Sequence, residues 1–263
     1  WGAWRIKKLK KLFKKLLVFF PFEEQFYKNH HLLNVEWVGH PLQEWIGNSP
    51  FDWDAEIGES TQGLEFIGIL PGSRFGTIRQ HLPPMLEAAP ILHEKNPKRR
   101  ILIPLAPSIP KEWISKQLGE TGSFVKVLAR ESHRVLRVCR SAMIGQGTAT
   151  LEAAFCETPM VLCGKYTAAT AVMARLLKVR PQGILHRLAH RSISPELWQR
   201  EVNGIHIARA IESILDNEEK YQQDVRELKK IKEIFAAKAR PSLNAANAIQ
   251  NILDGSHDIK ILA

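Results

Sequence analysis

The chain has 263 residues, which suffices for one large α/β domain or for one domain and part of a second. Its hydrophobic fraction of 44% supports a core, and its three cysteines lack CxxC spacing, which argues against a disulfide framework. The formal net charge of +10 favours an anionic partner, which is nucleic acid, an anionic membrane or a phosphorylated substrate.

The first predicted element is a basic amphipathic helix over residues 5–15. Ile6, Leu9, Leu12 and Phe13 fall at helical spacing, while lysines occupy almost all of the opposite face. This pattern is typical of a helix that binds a membrane surface or nucleic acid, and a solvated surface helix explains it equally well. No apolar run in the sequence reaches the roughly 20 residues that a membrane-spanning helix needs.

A group of short elements follows this helix. We predict a strand at 17–20, a helix at 23–29, a strand at 35–38 and a turn at 39–42. Residues 47–63 are rich in Gly, Asn, Ser, Pro, Asp and Thr, a composition that indicates a linker or a domain boundary.

Beyond the linker, apolar runs of strand length alternate with helical patterns. The predicted strands are 64–70, 100–105, 124–128, 142–145 and 159–163. The predicted helices are 76–94, 110–118, 131–138, 148–156 and 167–178. Such alternation indicates a parallel sheet with right-handed crossovers, so we expect a Rossmann-like α/β domain over 64–216. We expect helices with charged faces to make up residues 217–263.

The first glycine turn of this domain is Pro71-Gly72-Ser73-Arg74, which follows the predicted strand 64–70. Ligands of open α/β sheets bind outside the carboxyl ends of the strands, where the Arg74 side chain would project. Its planar guanidinium suits a diphosphate or a carboxylate. The alternative is a solvated arginine on a tight turn.

The second glycine turn is Gly147-Thr148-Ala149, at the predicted start of a helix. Free N–H groups and the helix dipole favour a phosphate there, and Gly147 lets the backbone approach a ligand. The Thr148 hydroxyl can cap the helix or donate to a ligand. Glu152 shares the helix face of Thr148, where its carboxylate could accept two sugar hydroxyls. The two turns together favour a nucleotide-sugar diphosphate site, and the alternative is an ordinary strand–helix turn.

Seven short segments carry a resemblance that extends over nearly the whole chain. They are WGAWR (1–5), FPFE (20–23), VGHPL (38–42), LPGSR (70–74), GTATLE (147–152), PMV (159–161) and PEL (195–197). Each segment is weak alone. In this order, they resemble the bacterial lipid-A-disaccharide synthases, which are glycosyltransferases of the two-domain GT-B type.

The resemblance implies a reaction and a set of donor-binding residues. The implied reaction transfers 2,3-diacylglucosamine from UDP-2,3-diacylglucosamine to 2,3-diacylglucosamine 1-phosphate, in lipid A biosynthesis. The implied donor-binding residues are Gly72, Ser73, Arg74, Gly147, Thr148, Ala149 and Glu152. Among them, Arg74 would bind a substrate phosphate and Glu152 the ribose.

The family enzyme is longer, and the chain begins at Trp1 without a methionine, so we interpret it as a fragment. Residues 1–46 would be the remnant of the N-terminal acceptor domain. The acceptor site and its general base would precede Trp1, so we predict no catalytic residue here and expect the chain alone to be inactive. The resemblance implies no metal and no cofactor. The implied location is cytoplasmic and peripheral, on the anionic surface of the inner membrane.

Three positions depart from the pattern of the family. Gln146 stands where a serine is usual, His186 where an asparagine is usual, and His190 where a glycine is usual. His186 remains a substrate-binding candidate. A histidine cannot copy the paired donor and acceptor of an amide, so we expect this departure to make catalysis less efficient. His186 and His190 have the i, i+4 spacing that suits zinc, but no third ligand stands nearby in the sequence and we expect no metal site.

Two other functions compete with the enzyme. One is a catalytically inactive fragment that binds a UDP-sugar or acts as a scaffold. The other, nucleic-acid binding, rests on the charge alone, and no helix-turn-helix or RNP motif supports it. A second copy of the chain, forming a homodimer, is a further candidate partner.

Overall fold

The structure is a computed structural model that describes residues 5–32, 34–46, 52–118, 124–167 and 183–255. By its internal contacts the chain divides into two compact units. The first unit combines Trp1–Gly47 with Lys232–Ala263, and the second unit is Asn48–Ile231. The domain limits drawn from the sequence, with a linker at 47–63 and separate helices at 217–263, stay predictions.

The first unit holds a small parallel sheet and several short helices. Strand β1 (Leu16–Val18) pairs in parallel with β2 (Val35–Trp37). The helices of this unit are Ile6–Leu12, Pro21–Asn29, Leu42–Trp45 and Pro241–Asp254. The predicted basic helix is confirmed, but it is shorter than expected because Phe13 takes an extended backbone conformation. The second helix starts at Pro21, whose fixed φ suits the first helical position.

The second unit is built on one six-stranded parallel sheet. Its strands are β3 (Glu65–Leu70), β4 (Arg99–Pro104), β5 (Val125–Leu128), β6 (Cys139–Gly145), β7 (Met160–Gly164) and β8 (Glu196–Trp198). Their order is β5-β4-β3-β6-β7-β8, and every neighbouring pair is parallel. The strand order reverses between β3 and β6, which is therefore the topological switch point of the sheet.

Helices alternate with these strands, as the sequence predicts. They are Trp53–Ile57, Phe75–Lys95, Lys111–Leu118, Ser132–Val138, Ala149–Phe155, Ile184–Ala189, Gly204–Leu215 and Glu218–Ala236, which continues into the first unit. The predicted parallel α/β sheet is thus confirmed, with small differences at the ends of elements. β6 begins earlier than predicted because the preceding helix leads directly into it. The sequence does not predict β8, since three residues show no periodicity, and the helix predicted at 167–178 lies almost wholly outside the described residues.

The core of the second unit lies between the sheet and two helices, Phe75–Lys95 and Gly204–Leu215. The central strands are apolar along most of their length, as expected where both faces of a parallel sheet are covered, and Ile69 is fully buried. The two helices approach closely at Gly204, where an added Cβ would lie 2.6 Å from the Cβ of Glu87. This packing holds the long helix that follows the first glycine turn.

Candidate functional site

The two glycine turns lie side by side at the carboxyl edge of the sheet. Residues 71–74 follow β3 and residues 146–149 follow β6, and these two strands are hydrogen-bonded neighbours. Gly145 permits the close approach, because an added Cβ there would lie 3.1 Å from the carbonyl oxygen of Pro71. The structure thus brings two turns that are distant in the sequence to one crevice, at the point where open α/β sheets bind ligands.

In the first turn, the backbone conformation of Gly72 is restricted to glycine, and the side chain of Arg74 is exposed. Gly72 has a φ of +112°, and an added Cβ would lie 2.9 Å from Cγ2 of Thr77, so the position requires glycine. The carbonyl of Arg74 accepts hydrogen bonds from the N–H groups of Thr77 and Ile78, both at 2.9 Å. Ser73 and Arg74 are exposed, and the Arg74 side chain does not cap the helix that it precedes. The guanidinium therefore faces solvent beside the crevice.

The second turn is held by hydrogen bonds from the helix that follows it. The carbonyl of Gly147 accepts hydrogen bonds from the Oγ1 (2.7 Å) and the N–H (3.2 Å) of Thr150. Thr148 precedes the helix, but its side chain forms no capping hydrogen bond. Of the two roles that the sequence allows for Thr148, only donation of its hydroxyl to a ligand stays open. Ala149 is the first helical residue, so its N–H points out of the helix start.

The carboxylate of Glu152 is already bound on one side. Its Oε2 accepts a hydrogen bond from the hydroxyl of Ser132, and both residues are half-buried. This bond orients the carboxylate through Oε2, and among the described residues Ser132 is its hydrogen-bonding side chain. No pattern in the sequence indicates Ser132, because it belongs to the preceding helix and reaches Glu152 only when the two helices pack in the folded domain.

His186 is buried, with 5% of its surface exposed. Its Nδ1 accepts a hydrogen bond from the N–H of Ile193 at 3.2 Å, and its Nε2 lies 3.5 Å from Oε2 of Glu196. Burial lowers the pKa of His186 below its ordinary value, and the Glu196 carboxylate opposes this shift without reversing it. The ring faces a carboxylate of the protein, so its predicted contact with a substrate stays a prediction.

His190 differs from His186 in both exposure and backbone conformation. It is exposed and takes a left-handed conformation, with a φ of +54°, at the end of the helix Ile184–Ala189. Glycine is favoured at such a helix end, but histidine can adopt the conformation at a cost. In the part of the chain that the structure describes, no group of three or more His, Cys, Asp and Glu could hold a metal ion.

A polar network that the sequence does not reveal joins the residues after β6 and β7 to the first residue of β8. The Nε2 of Gln146 donates to Oε1 of Glu196, and the hydroxyl of Tyr166 donates to Oε1 of Gln146. Oε1 of Glu196 also accepts from the N–H of Gly183 at 3.3 Å. Burial and the charge of Glu196 raise the pKa of Tyr166, so its hydroxyl keeps the proton that it donates. The one local feature of the sequence that points to this network is the position of Gln146 directly before Gly147.

His81 forms hydrogen bonds both within its own helix, which follows the first turn, and to the backbone just after β7. Its Nε2 accepts a hydrogen bond from the N–H of Lys165 at 3.2 Å, so its Nδ1 carries the proton and donates to the carbonyl of Thr77 at 2.9 Å. Burial lowers the pKa of His81, which favours this neutral form. An added Cβ at Gly145 would lie 3.5 Å from its ring, so the histidine packs directly against the second turn's strand.

Comparison with known proteins points to one family. The model of the lipid-A-disaccharide synthetase family matches residues 1–250. The lipid-A-disaccharide synthase of Francisella philomiragia is 32% identical over 243 residues, which cover 89% of this chain and 63% of that protein. The synthase of Hahella chejuensis is 34% identical over 218 residues, which cover 80% of this chain and 54% of that protein. The chain thus spans less than two thirds of the length of these relatives.

Solved structures of glycosyltransferases share the fold. The calicheamicin glycosyltransferase CalG4 is similar over 97% of this chain and 57% of its own length, with a TM-score of 0.56 and 18% identity. The spinosyn rhamnosyltransferase SpnG is similar over 85% of this chain and 60% of its own length, with a TM-score of 0.55 and 13% identity. At such identities the likeness concerns the fold alone, which is the α/β fold of GT-B glycosyltransferases.

Proposed function

Because the chain belongs to the lipid-A-disaccharide synthetase family, we propose that its second unit binds the UDP moiety of a UDP-2,3-diacylglucosamine donor. The observation that carries this proposal is the adjacency of residues 71–74 and 146–149 at the switch point of the sheet. Parallel α/β sheets bind nucleotides in such a crevice. A protein of similar fold, MnaA of S. aureus, has a co-structure with UDP at a TM-score of 0.51 and 10% identity, over 76% of this chain and 51% of its own.

The predicted residues take distinct roles in this proposal. Arg74, exposed at the first turn, would donate two parallel hydrogen bonds to diphosphate oxygens. An added Cβ at Gly147 would meet no described atom within 4 Å, so there is space for a ligand beside the second turn. The hydroxyl of Thr148 and the N–H of Ala149 would donate to the same phosphates. Oε1 of Glu152 would accept a ribose hydroxyl, while Ser132 holds the other oxygen.

In the proposed reaction, the bond from the sugar C1 to the phosphate oxygen of UDP breaks. A bond from C1 to a hydroxyl oxygen of 2,3-diacylglucosamine 1-phosphate forms, and the proton of that hydroxyl passes to a general base. Negative charge builds on the departing UDP, where Arg74 and the N–H groups of the second turn would stabilise it. We assign no general base among the described residues, and we expect the 263-residue chain alone to form no disaccharide.

Titration calorimetry of the 263-residue chain with UDP tests the proposed donor site. We expect saturable binding of UDP, and weaker binding of uridine and of inorganic pyrophosphate, because each of these occupies only part of the crevice. Equal binding of pyrophosphate and UDP would indicate an unspecific anion site. No UDP binding at millimolar concentration would contradict the proposal.

We further propose that the first unit docks on an anionic membrane surface through the helix Ile6–Leu12 and the residues after it. Leu12 is 62% exposed and Phe13 is 54% exposed, although both are large apolar side chains. Lysines on the same segment are exposed as well: Lys7, Lys8, Lys10, Lys11 and Lys14. Each lysine near an anionic leaflet contributes about 1 kcal/mol, and the apolar side chains add burial. Among the described residues, no helix is long and apolar enough to cross a membrane.

Co-sedimentation with lipid vesicles tests this docking. The test variant replaces four lysines by glutamine, at Lys7, Lys8, Lys11 and Lys14. The control variant lowers the charge equally, at Lys229, Lys230, Lys232 and Lys238. We expect binding that rises with anionic lipid, falls with salt, disappears in the test variant and persists in the control. Equal loss in both variants, or no vesicle binding by the unmodified chain, would contradict the proposal.

A further inference from the structure

We infer that Gln146 is a positioning residue of the donor site, whose side chain, held by Glu196 and Tyr166, keeps the turn at Gly147 in the shape that receives the diphosphate. This inference rests on the proposed function, because it concerns the same site. It goes further by assigning a role to a residue that acts through the turn and has no assigned contact with the ligand.

Gln146 is the last residue before the turn whose backbone is hydrogen-bonded to the neighbouring strand. Its N–H donates to the carbonyl of Cys163 at 3.2 Å, which extends the pairing of β6 with β7 beyond the end of β6. The next residue, Gly147, is exposed and has left the sheet. A rotation of the backbone at Gln146 would therefore displace the turn directly.

The side chain of Gln146 is held at both ends of its amide. The NH₂ group donates to Glu196, and the carbonyl oxygen accepts from Tyr166. The carboxylate fixes the orientation of the amide, because the flipped form would place a carbonyl oxygen against a negative charge. A shorter or an apolar side chain at this position would lose both bonds.

The two partners of the amide are themselves held. Glu196 lies at the start of β8 and also accepts the N–H of Gly183 at 3.3 Å. The ring of Tyr166 stacks on that of Trp198, with 5.8 Å between the ring centroids. The amide thus connects the turn to a frame formed by β7 and β8, which are paired strands of the same sheet.

Affinity depends on this connection because a binding loop that must be ordered by its ligand binds more weakly. The turn at Gly147 is also supported by the bonds from Thr150, but these belong to the helix that follows the turn. Gln146 supplies the support from the side of the sheet. Its loss should lower the affinity for UDP while the fold stays intact.

Titration calorimetry with UDP tests the inference in three variants of the 263-residue chain. Gln146→Ala removes both side-chain bonds and should weaken UDP binding about tenfold. Gln146→Glu sets a second carboxylate beside Glu196, and repulsion between the two should weaken UDP binding at least as much as Gln146→Ala does. Gln146→Glu combined with Glu196→Gln restores one amide and one carboxylate and should bind within about twofold of the unmodified chain.

Thermal unfolding of each variant, and the control Gln222→Ala on an exposed helix position, separate positioning from folding. We expect the control to bind UDP normally and the Gln146 variants to lose affinity without an equal loss of stability. Normal affinity of Gln146→Ala, or no recovery in the exchanged pair, would overturn the inference while the proposed donor site stands. If the unmodified chain binds no UDP, the proposed function and this inference both fail.

Discussion

The amino edge of the sheet in the second unit differs from the switch point at its carboxyl edge in the use of polar groups. At the amino edge, charged side chains bind one another: Nε of Arg99 donates to Glu65 at 2.7 Å, and another guanidinium nitrogen donates to Asp216 at 2.8 Å. At the carboxyl edge of the switch point, Ser73 and Arg74 stand exposed. The polar groups of the amino edge thus stabilise the fold, while those at the switch point of the carboxyl edge stay available to a ligand.

The hydrogen bonds of the amino edge favour the charged forms of Arg99 and Asp216. Burial alone would lower the pKa of Arg99, but its hydrogen bonds to Glu65 and Asp216 raise it overall. The hydrogen bond from Lys95, followed by that from Arg99, lowers the pKa of Asp216. Arg99 is the buried member of this network, so its removal is costly because Glu65 and Asp216 lose the partner that they share.

The largest effect should come from Arg99→Ala, which breaks the amino edge. The change leaves Glu65 without its buried partner and should lower the free energy of unfolding by about 3 kcal/mol. Denaturant unfolding of the chain measures this loss, and Lys98→Ala, at an exposed neighbouring position, should change stability by less than about 0.5 kcal/mol. UDP affinity of the folded Arg99→Ala chain should be unchanged. A loss of affinity without a loss of stability would show that the edges are not separate in function.

A smaller effect should come from Glu152→Ala, which alters the carboxyl edge alone. Loss of one hydrogen bond to a ribose hydroxyl should weaken UDP binding by about 1 kcal/mol, or roughly fivefold. Calorimetry with UDP measures this change, and Glu94→Ala, at an exposed position of the long helix, removes the same charge as a control. Comparable weakening in the two variants would assign the effect to net charge and not to the proposed ribose contact.

The smallest effect should be a difference in acid response between the edges. The pKa of His81 is lowered in the folded chain, so its contribution to stability is complete above about pH 6.5 and declines as the pH falls below that value. The pKa of Asp216 is also lowered, so its contribution is complete above about pH 3.9 and declines only below it. Unfolding free energies between about pH 7 and about pH 5 should fall more in the unmodified chain than in His81→Gln. Equal slopes in the two chains would rule out this role of His81.

The sequence predicts local features of the site but not their combination. A glycine after an apolar run marks each turn, because tight strand–helix connections need its backbone freedom, and Gly72 shows this with its positive φ. The adjacency of the turns depends on the pairing of β3 with β6, which joins segments distant in the sequence. The same holds for the bond between Gln146 and Glu196 and for that between Ser132 and Glu152. Such contacts follow from strand order, which local patterns do not encode.

The most direct test of the proposed donor site is the UDP affinity of Arg74→Ala compared with that of Arg209→Ala. Both residues are exposed in the second unit, but only Arg74 lies at the crevice. Loss of charged hydrogen bonds to the diphosphate should cost about 2 kcal/mol, or roughly thirtyfold in affinity, in Arg74→Ala and nothing measurable in Arg209→Ala. Equal affinities of Arg74→Ala and the unmodified chain would contradict the placement of the diphosphate at this edge of the sheet.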